Sequence, residues 1–346
     1  MNRLTEFNRT DWLTIGILGS TFIPFTIVIL FKLGFENPYL VMTATGLAIV
    51  AAAYFLSWAT ESLQTVVSQA FALAVLALIQ VLPEYSFEVI LAWKQQLQFA
   101  AATMTGANRL LMGFGWPLVF FVAAISSWRK GQNFKEIILS KHQSAEVVFL
   151  LISTLYSVIF IIRGGIHLLD AIPLVGIYAA YIFVILRLPP EEEQADVTGG
   201  TGKKIVSLKG WKKTVSISSL ILFGFVIVFF GAEPFIESLK HVATGLGIPQ
   251  FQFIQWFAPF LSEFPESLTA FIWAASIVMA PMGLANLISS KVNQWTLLIA
   301  SIPIFFSLSI GHAANIPFDT LQMHEMMLTT TQTLYGTVCL LGLRSC

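Results

Sequence analysis

Long apolar runs occupy most of this 346-residue sequence, and their length is the feature that most constrains the fold. About 20 apolar residues are needed for a helix to cross a bilayer. Charged residues make up only 11% of the chain, whereas a soluble domain contains about 25%. The sequence therefore predicts an all-α, polytopic integral membrane protein. We predict about ten helices, at residues 12–33, 38–68, 70–93, 98–125, 145–162, 165–187, 214–246, 250–277, 283–311 and 323–343.

One strongly polar connector divides the sequence. Residues 188–213 contain two adjacent prolines, three consecutive glutamates and a glycine-rich stretch that is followed by lysines. This composition is typical of a flexible linker. We therefore predict four parts: an extra transmembrane helix at 1–37, a first half at 38–187, the linker at 188–213, and a second half at 214–346.

The placement of lysine and arginine indicates how the chain crosses the membrane. If the N-terminus is cytoplasmic, the outer helix ends hold only Lys32, Lys94, Arg163 and Lys240, and most of the remaining basic residues lie in inner segments. Because cytoplasmic loops are enriched in these residues, we predict a multi-pass cell-membrane protein with both termini in the cytoplasm. The formal net charge of zero gives no reason to expect a nucleic-acid partner.

Two Pro-Glu pairs lie within otherwise apolar segments. Pro83-Glu84 and Pro265-Glu266 are 182 positions apart (266 − 84). Proline has no N–H group, so each pair leaves the backbone carbonyl one turn earlier without its usual helical donor. A carbonyl in lipid needs another partner, and a bound cation is one such partner. The two pairs therefore predict broken helices that carry carboxylates at the membrane midplane.

Other residues recur at the same spacing and indicate an internal repeat. Arg109 and Lys291 are also 182 positions apart (291 − 109). With the orientation given above, the helix of Glu84 runs outward and the helix of Glu266 runs inward. Equivalent helices of opposite direction form an inverted repeat, which is the plan of many secondary transporters.

Two further carboxylates accompany the pairs. Glu88 lies one turn after Glu84, and Glu263 lies three residues before Glu266, so each is on the same helix face as its neighbour. An unpaired carboxylate at the bilayer centre costs about 2.5–3.5 kcal/mol. Two explanations are open for such groups: they join helices to each other, or they bind transported ions. The repeat and the two prolines favour a cation site, because hard cations prefer carboxylate and carbonyl oxygens.

Neutral oxygen donors and two basic side chains complete the candidate site. Each neutral donor is either a cation ligand or part of an interhelical hydrogen bond; these donors are Asn108, Asn293, Ser262 and Ser289.

The basic residues Arg109 and Lys291 are expected to have Glu88 or Glu263 as a counter-ion. Arg109 keeps its charge and is a candidate structural partner. Lys291 can lose its proton if it is desolvated, and its tethered ammonium could occupy the place of a cation in one state of the cycle.

The Pro-Glu pairs, the segment Gly106-Ala107-Asn108 and the segment Ser289-Ser290 with Asn293 together resemble the sodium/calcium exchanger superfamily of cation antiporters. The resemblance covers most of residues 38–343 and is strongest to a prokaryotic branch that is often labelled sodium:proton exchanger.

The resemblance implies secondary active antiport by alternating access, with calcium exchanged against sodium or protons at a carboxylate site. It implies transported inorganic cations, the lipid bilayer as surroundings, and neither a cofactor nor an enzymatic activity. Sodium/proton antiport at the same site is the alternative that Arg109 and Lys291 favour. A cation channel is a further alternative, although broken helices and internal symmetry favour a transporter. An intramembrane hydrolase lacks support, because no nucleophile–base pair or metal triad is evident.

Overall fold

A computed structural model shows an α-helical chain with one short β pair. The structure describes residues 9–32, 34, 36–63, 81–132, 134, 136–139, 141–187, 208 and 210–342. The helices are α1 (Arg9–Ser20), α2 (Phe22–Phe31), α3 (Pro38–Leu63), α4 (Leu82–Trp93), α5 (Leu97–Leu110), α6 (Trp116–Arg129), α7 (Lys141–Arg163), α8 (Ala171–Arg187), α9 (Trp211–Gly245), α10 (Gln250–Ala275), α11 (Ala280–Asn293), α12 (Ile299–Ile310) and α13 (Thr320–Gly342).

Each of the ten predicted helices has a helical counterpart, but the count of ten membrane spans is not confirmed in full. Within the described residues, seven stretches are long and apolar enough to cross a membrane. Helix α4 has only 12 described residues, which is too short for a membrane span. The preceding part of its predicted span, residues 70–80, lies outside the described residues. Most of the predicted linker at 188–213 also lies outside them, so the predicted domain boundaries stay predictions.

The chain forms two compact units, and each unit combines segments from both halves of the sequence. The first contains residues 1–87 and 193–265, and the second contains 88–192 and 266–346. The chain passes from one unit to the other within α4 and within α10, immediately next to Phe87 and Pro265.

The first unit is built on close packing of α3 against α9. Small residues at the contact allow the two backbones to approach, as is usual for helices in lipid. A side chain at Gly224 would collide with Leu56, and Ala52 beside it is fully buried. The ring of Phe87, at the end of the first-unit part of α4, stacks on Phe235 of α9 with centroids 5.8 Å apart. This contact fixes the start of α4 on α9.

In the second unit, equivalent helices of the two sequence halves make equivalent contacts. Helix α7 packs on α13, α5 packs on α13, and the equivalent helix of the second half, α11, packs on α7. Each of the two equivalent helices continues into a π-helical turn, at Leu111–Gly115 after α5 and at Gln294–Leu298 after α11. These two turns start 183 positions apart (294 − 111), in agreement with the repeat. Because π-turns are rare and concentrate at functional sites, their matched positions draw attention to Asn108 and Asn293 just before them.

The predicted interruption of the two Pro-Glu helices differs between the halves. Helix α4 begins at Leu82, so Pro83 lies in its first turn, where the absent N–H has no helical partner to lose. Helix α10 instead continues through Pro265 from Gln250 to Ala275. A membrane helix tolerates such a proline, because neighbouring groups can satisfy the freed carbonyl. The irregular helical geometry of each half lies in the π-turn of the following helix.

Asp170 fixes the connection between α7 and α8 in the second unit. Its carboxylate is 2% exposed and accepts hydrogen bonds from Tyr156 Oη at 2.7 Å, from Arg163 at 2.8 Å and from the backbone N–H of His167 at 2.8 Å. Next to this carboxylate, the strand Gly165–Ile166 (β1) pairs antiparallel with Ile316–Pro317 (β2). Gly165 is required there, since a side chain would collide with the Ile316 carbonyl.

We predict that Asp170→Ala lowers the stability of the protein by about 2–3 kcal/mol, because it removes the charged acceptor of the Tyr156 hydroxyl and of the His167 N–H, whereas the exposed Arg163 can be solvated by water. Thermal unfolding in detergent measures the effect. Asp319→Ala is the matched control: Asp319 is exposed and only caps α13 through the N–H of Gln322 at 2.7 Å, so its loss should cost about 1 kcal/mol. Equal losses of stability in the two variants would contradict the role given to Asp170.

Candidate cation site

Glu84 lies in the first turn of α4, in the first unit, and is 5% exposed. The side chain of Ser262 on α10 lies close to its carboxylate, and the Ser262 hydroxyl donates to the Pro259 carbonyl at 3.2 Å. Among the described residues, the Oε2 atom of Glu84 has no hydrogen-bond partner. The structure thus brings two predicted ligands, Glu84 and Ser262, together and leaves one carboxylate oxygen of Glu84 able to accept a further ligand.

Glu266 lies on the second-unit part of α10 and is held by two polar side chains of α11. Asn286 Nδ2 donates to Glu266 Oε1 at 3.1 Å, and the hydroxyl of Ser290 donates to the same oxygen. Asn286 and Ser290 are four residues apart, so they lie on one face of α11. Both Pro-Glu carboxylates therefore have a serine nearby, Ser262 at Glu84 and Ser290 at Glu266.

Ser289 does not accompany Glu266, although the sequence predicted it as a ligand. Its hydroxyl forms a hydrogen bond of 2.8 Å with the hydroxyl of Tyr181 on α8. Successive helix residues point about 100° apart, so Ser289 and Ser290 cannot face the same partner. Ser290 and Asn286 are the α11 side chains that donate to Glu266, and Ser289 as a cation ligand stays a prediction.

Glu88 and Glu263 are the most deeply buried of the four predicted carboxylates, each 1% exposed. Glu88 lies in the second unit, one turn after Glu84 on α4, and Glu263 directly follows Ser262 in the first unit. Asn293 is also 1% exposed and is the last residue of α11 before the π-turn. Within either unit, no described group of three or more His, Cys, Asp or Glu side chains is arranged to hold a metal ion.

Arg109 forms an ion pair with Glu325 of α13, inside the second unit. The sequence analysis expected Glu88 or Glu263 as the counter-ion of a basic residue and did not place Glu325 among the site residues. The pair joins residues 216 positions apart, and only the packing of α5 on α13 brings them together. Arg109 is therefore a cation neutralised by its own carboxylate, as its predicted structural role requires.

Lys291, the counterpart of Arg109, has different surroundings. Its side chain is completely buried, and its Nζ donates to the backbone oxygen of Asn108 at 2.5 Å and to Asn108 Oδ1 at 3.3 Å. The amide nitrogen of Asn108 donates in turn to the carbonyl of Met104 at 3.0 Å. The structure thus joins Lys291 to a predicted cation ligand of the other repeat. Deprotonation of Lys291 as a switch stays a prediction.

The sequence of the chain matches the family model described as sodium/calcium exchanger protein, over residues 37–187 and 217–344. None of the curated proteins matches it.

Among solved structures, one described as the H⁺/Ca²⁺ exchanger CAX is 34% identical, with a TM-score of 0.87, and the match covers 97% of this chain and 84% of that one. The native structure of YfkE is 16% identical with a TM-score of 0.62, over 93% of this chain and 96% of that one. The sodium–calcium exchanger NCX_Mj is 18% identical with a TM-score of 0.54, over 88% of this chain and 91% of that one.

These matches confirm the predicted all-α membrane-transporter fold. The family model covers well over half of the chain, on both sides of the polar connector. The chain belongs to the sodium/calcium exchanger protein family.

Proposed function

We propose that the protein is a secondary active antiporter that exchanges calcium against sodium or protons by alternating access. The observation that carries this proposal is that each Pro-Glu carboxylate lies beside a serine: Glu84 lies close to Ser262, and Glu266 accepts a hydrogen bond from Ser290. Calcium takes six to eight oxygen ligands from carboxylates, carbonyls, amides and water. Carboxylates also accept protons, so the same oxygens can serve either ion in turn.

The proposed ligands are four glutamates and five neutral donors. Glu84, Glu88, Glu263 and Glu266 supply charge, and Ser262, Ser290, Asn286, Asn108 and Asn293 supply neutral oxygens. Ser289, whose hydroxyl forms a hydrogen bond with Tyr181, stays a predicted ligand in addition to these.

Charge balance favours calcium over the sodium/proton alternative. That alternative drew on two basic residues, which would reduce the need for a divalent ion. Arg109 is neutralised by Glu325, so it leaves the charge of the four proposed carboxylates unchanged. Of the two basic residues, only Lys291 reduces the negative charge of the four carboxylates. The relative with 34% identity is described as an H⁺/Ca²⁺ exchanger, which supports calcium as one cargo and protons as the other.

We further propose that the protein lies in the cell membrane with both termini in the cytoplasm. The support is the distribution of lysine and arginine between the helices. Antiport needs no cofactor and no chemical catalysis, because the gradient of one ion drives the other.

The first prediction tests the carboxylates. Glu84→Gln or Glu266→Gln should abolish calcium uptake into proteoliposomes, since glutamine keeps the shape but neither binds a proton nor offsets the charge of calcium. Glu136→Gln, at an exposed glutamate, should transport as the unchanged protein does. Each variant should still elute as a single folded species. Unchanged uptake by both Glu84→Gln and Glu266→Gln would refute the assignment.

The second prediction tests the ion pair. Arg109→Met should cost about 3–5 kcal/mol of stability, because it leaves Glu325 without its positive partner in a largely buried position. The double variant Arg109→Met with Glu325→Leu should recover most of that loss, since no uncompensated charge remains. Thermal unfolding of the single and double variants measures the coupling. Additive losses in the double variant would show that the pair does not stabilise the fold.

The third prediction tests the orientation. After both native cysteines, Cys339 and Cys346, are replaced by serine, Gln132→Cys should react with a membrane-impermeant thiol reagent only when the membrane is permeabilised. Ile248→Cys, in the connection between α9 and α10, should react in intact cells. The reverse pattern would show that the orientation is opposite.

A further inference from the structure

The ammonium of Lys291 lies where a small cation would lie. It is completely excluded from solvent, and two oxygens of one residue, Asn108 O and Asn108 Oδ1, accept from it at 2.5 and 3.3 Å. A backbone carbonyl and a carboxamide oxygen from one helix are ligands that monovalent and divalent cations use. The group that meets them here is part of the chain itself.

The surroundings of Asn108 are arranged to present oxygen rather than nitrogen. Its amide nitrogen is occupied by the Met104 carbonyl at 3.0 Å, so Oδ1 is directed away from that bond, toward Lys291. The π-turn at Leu111–Gly115 begins three residues later. Such a turn changes the hydrogen-bond register of the backbone, which is one way for a helix to present carbonyls to a ligand.

Arg109, the residue of the first half that is equivalent to Lys291, cannot occupy a small-cation position in the same way. Arg109 is neutralised by Glu325, and a guanidinium is a broad planar group, whereas an ammonium is a compact point charge. The two basic residues occupy equivalent positions in the repeat, and their nitrogen atoms contact different groups: the carboxylate of Glu325 at Arg109, and the two oxygens of Asn108 at Lys291.

We propose that the Lys291 ammonium is a resident cation, which permanently fills one monovalent-cation position formed by Asn108. This inference rests on the proposed function, which makes Asn108 an oxygen ligand of the transport site. If the ammonium fills this position, mobile ions cannot use it. The first half then binds one mobile cation fewer than its oxygen atoms could otherwise hold. Removal of the ammonium should open that position to a free cation of similar size.

The test uses the full-length protein in detergent at fixed pH, with added ammonium or methylammonium chloride as the probe and choline chloride as the salt control. Sodium is avoided because it is a proposed transported ion. Lys291→Ala removes the ammonium and leaves its space, and Lys291→Met fills the space without charge. Lys130→Ala is the matched control, because Lys130 Nζ also donates to a carbonyl, that of Ala275 at 3.5 Å, but at an exposed position.

Ammonium or methylammonium should raise the unfolding temperature of Lys291→Ala by about 3 °C or more at saturating concentration, relative to choline. The unchanged protein, Lys291→Met and Lys130→Ala should respond alike to all three salts. An equal response of Lys291→Ala and Lys130→Ala would overturn the proposal and make Lys291 an ordinary buried counter-ion.

If Lys291→Ala does not fold in choline, purification in methylammonium should recover it as a single species. Failure of that recovery would also overturn the proposal, whether or not Lys291→Met folds. The unfolding assay needs no transport, so it separates the two claims. Absent calcium uptake by the unchanged protein would refute the proposed function, whereas cation-dependent stability of Lys291→Ala would still support the resident cation.

Discussion

Charge buried in an apolar medium is the constraint on which the rest of this structure depends. Each ionised side chain within the membrane must be paired, hydrogen-bonded or bound to an ion, because the bilayer supplies no water to solvate it. The protein meets this requirement differently for different groups. Arg109 is paired with a carboxylate, Lys291 with the oxygens of Asn108, and Glu266 with the amide and hydroxyl of two α11 side chains.

The two kinds of partner have different consequences for transport. An ion pair such as Arg109–Glu325 is complete by itself and gains nothing from a mobile ion, so it stabilises the packing of α5 on α13. Glu266 accepts hydrogen bonds from the neutral side chains of Asn286 and Ser290, and neutral donors leave the negative charge of a carboxylate in place for a cation or a proton. This difference separates the structural charges from those that we assign to transport.

The repeat is symmetric in its helices and asymmetric in its chemistry. Both halves contain a Pro-Glu pair and a π-turn after the following helix. The basic residues, however, differ: one half has arginine with a carboxylate, and the other has lysine with an asparagine.

Sequence reasoning predicted most of the fold, because span length and helix-breaking prolines are local properties. It singled out the carboxylates of both Pro-Glu pairs for the same reason, and their role in transport stays a proposal. It failed where the answer depends on helix rotation or on long-range packing. Ser289 and Ser290 differ only by one step of rotation, so a spacing pattern could not distinguish them. Glu325 meets Arg109 across 216 positions, and no local pattern indicates such a pair. The π-turns have no compositional signature in this sequence.

The central claim, that calcium is exchanged against another ion, is tested most directly by calcium-45 uptake into proteoliposomes that contain the purified protein. An outward proton gradient and an outward sodium gradient would be imposed one at a time. The account predicts that at least one of them drives calcium accumulation above its equilibrium level, and that the accumulation ends when the gradient is collapsed. Sodium–proton exchange without any calcium movement, or calcium flux that ignores both gradients, would contradict it.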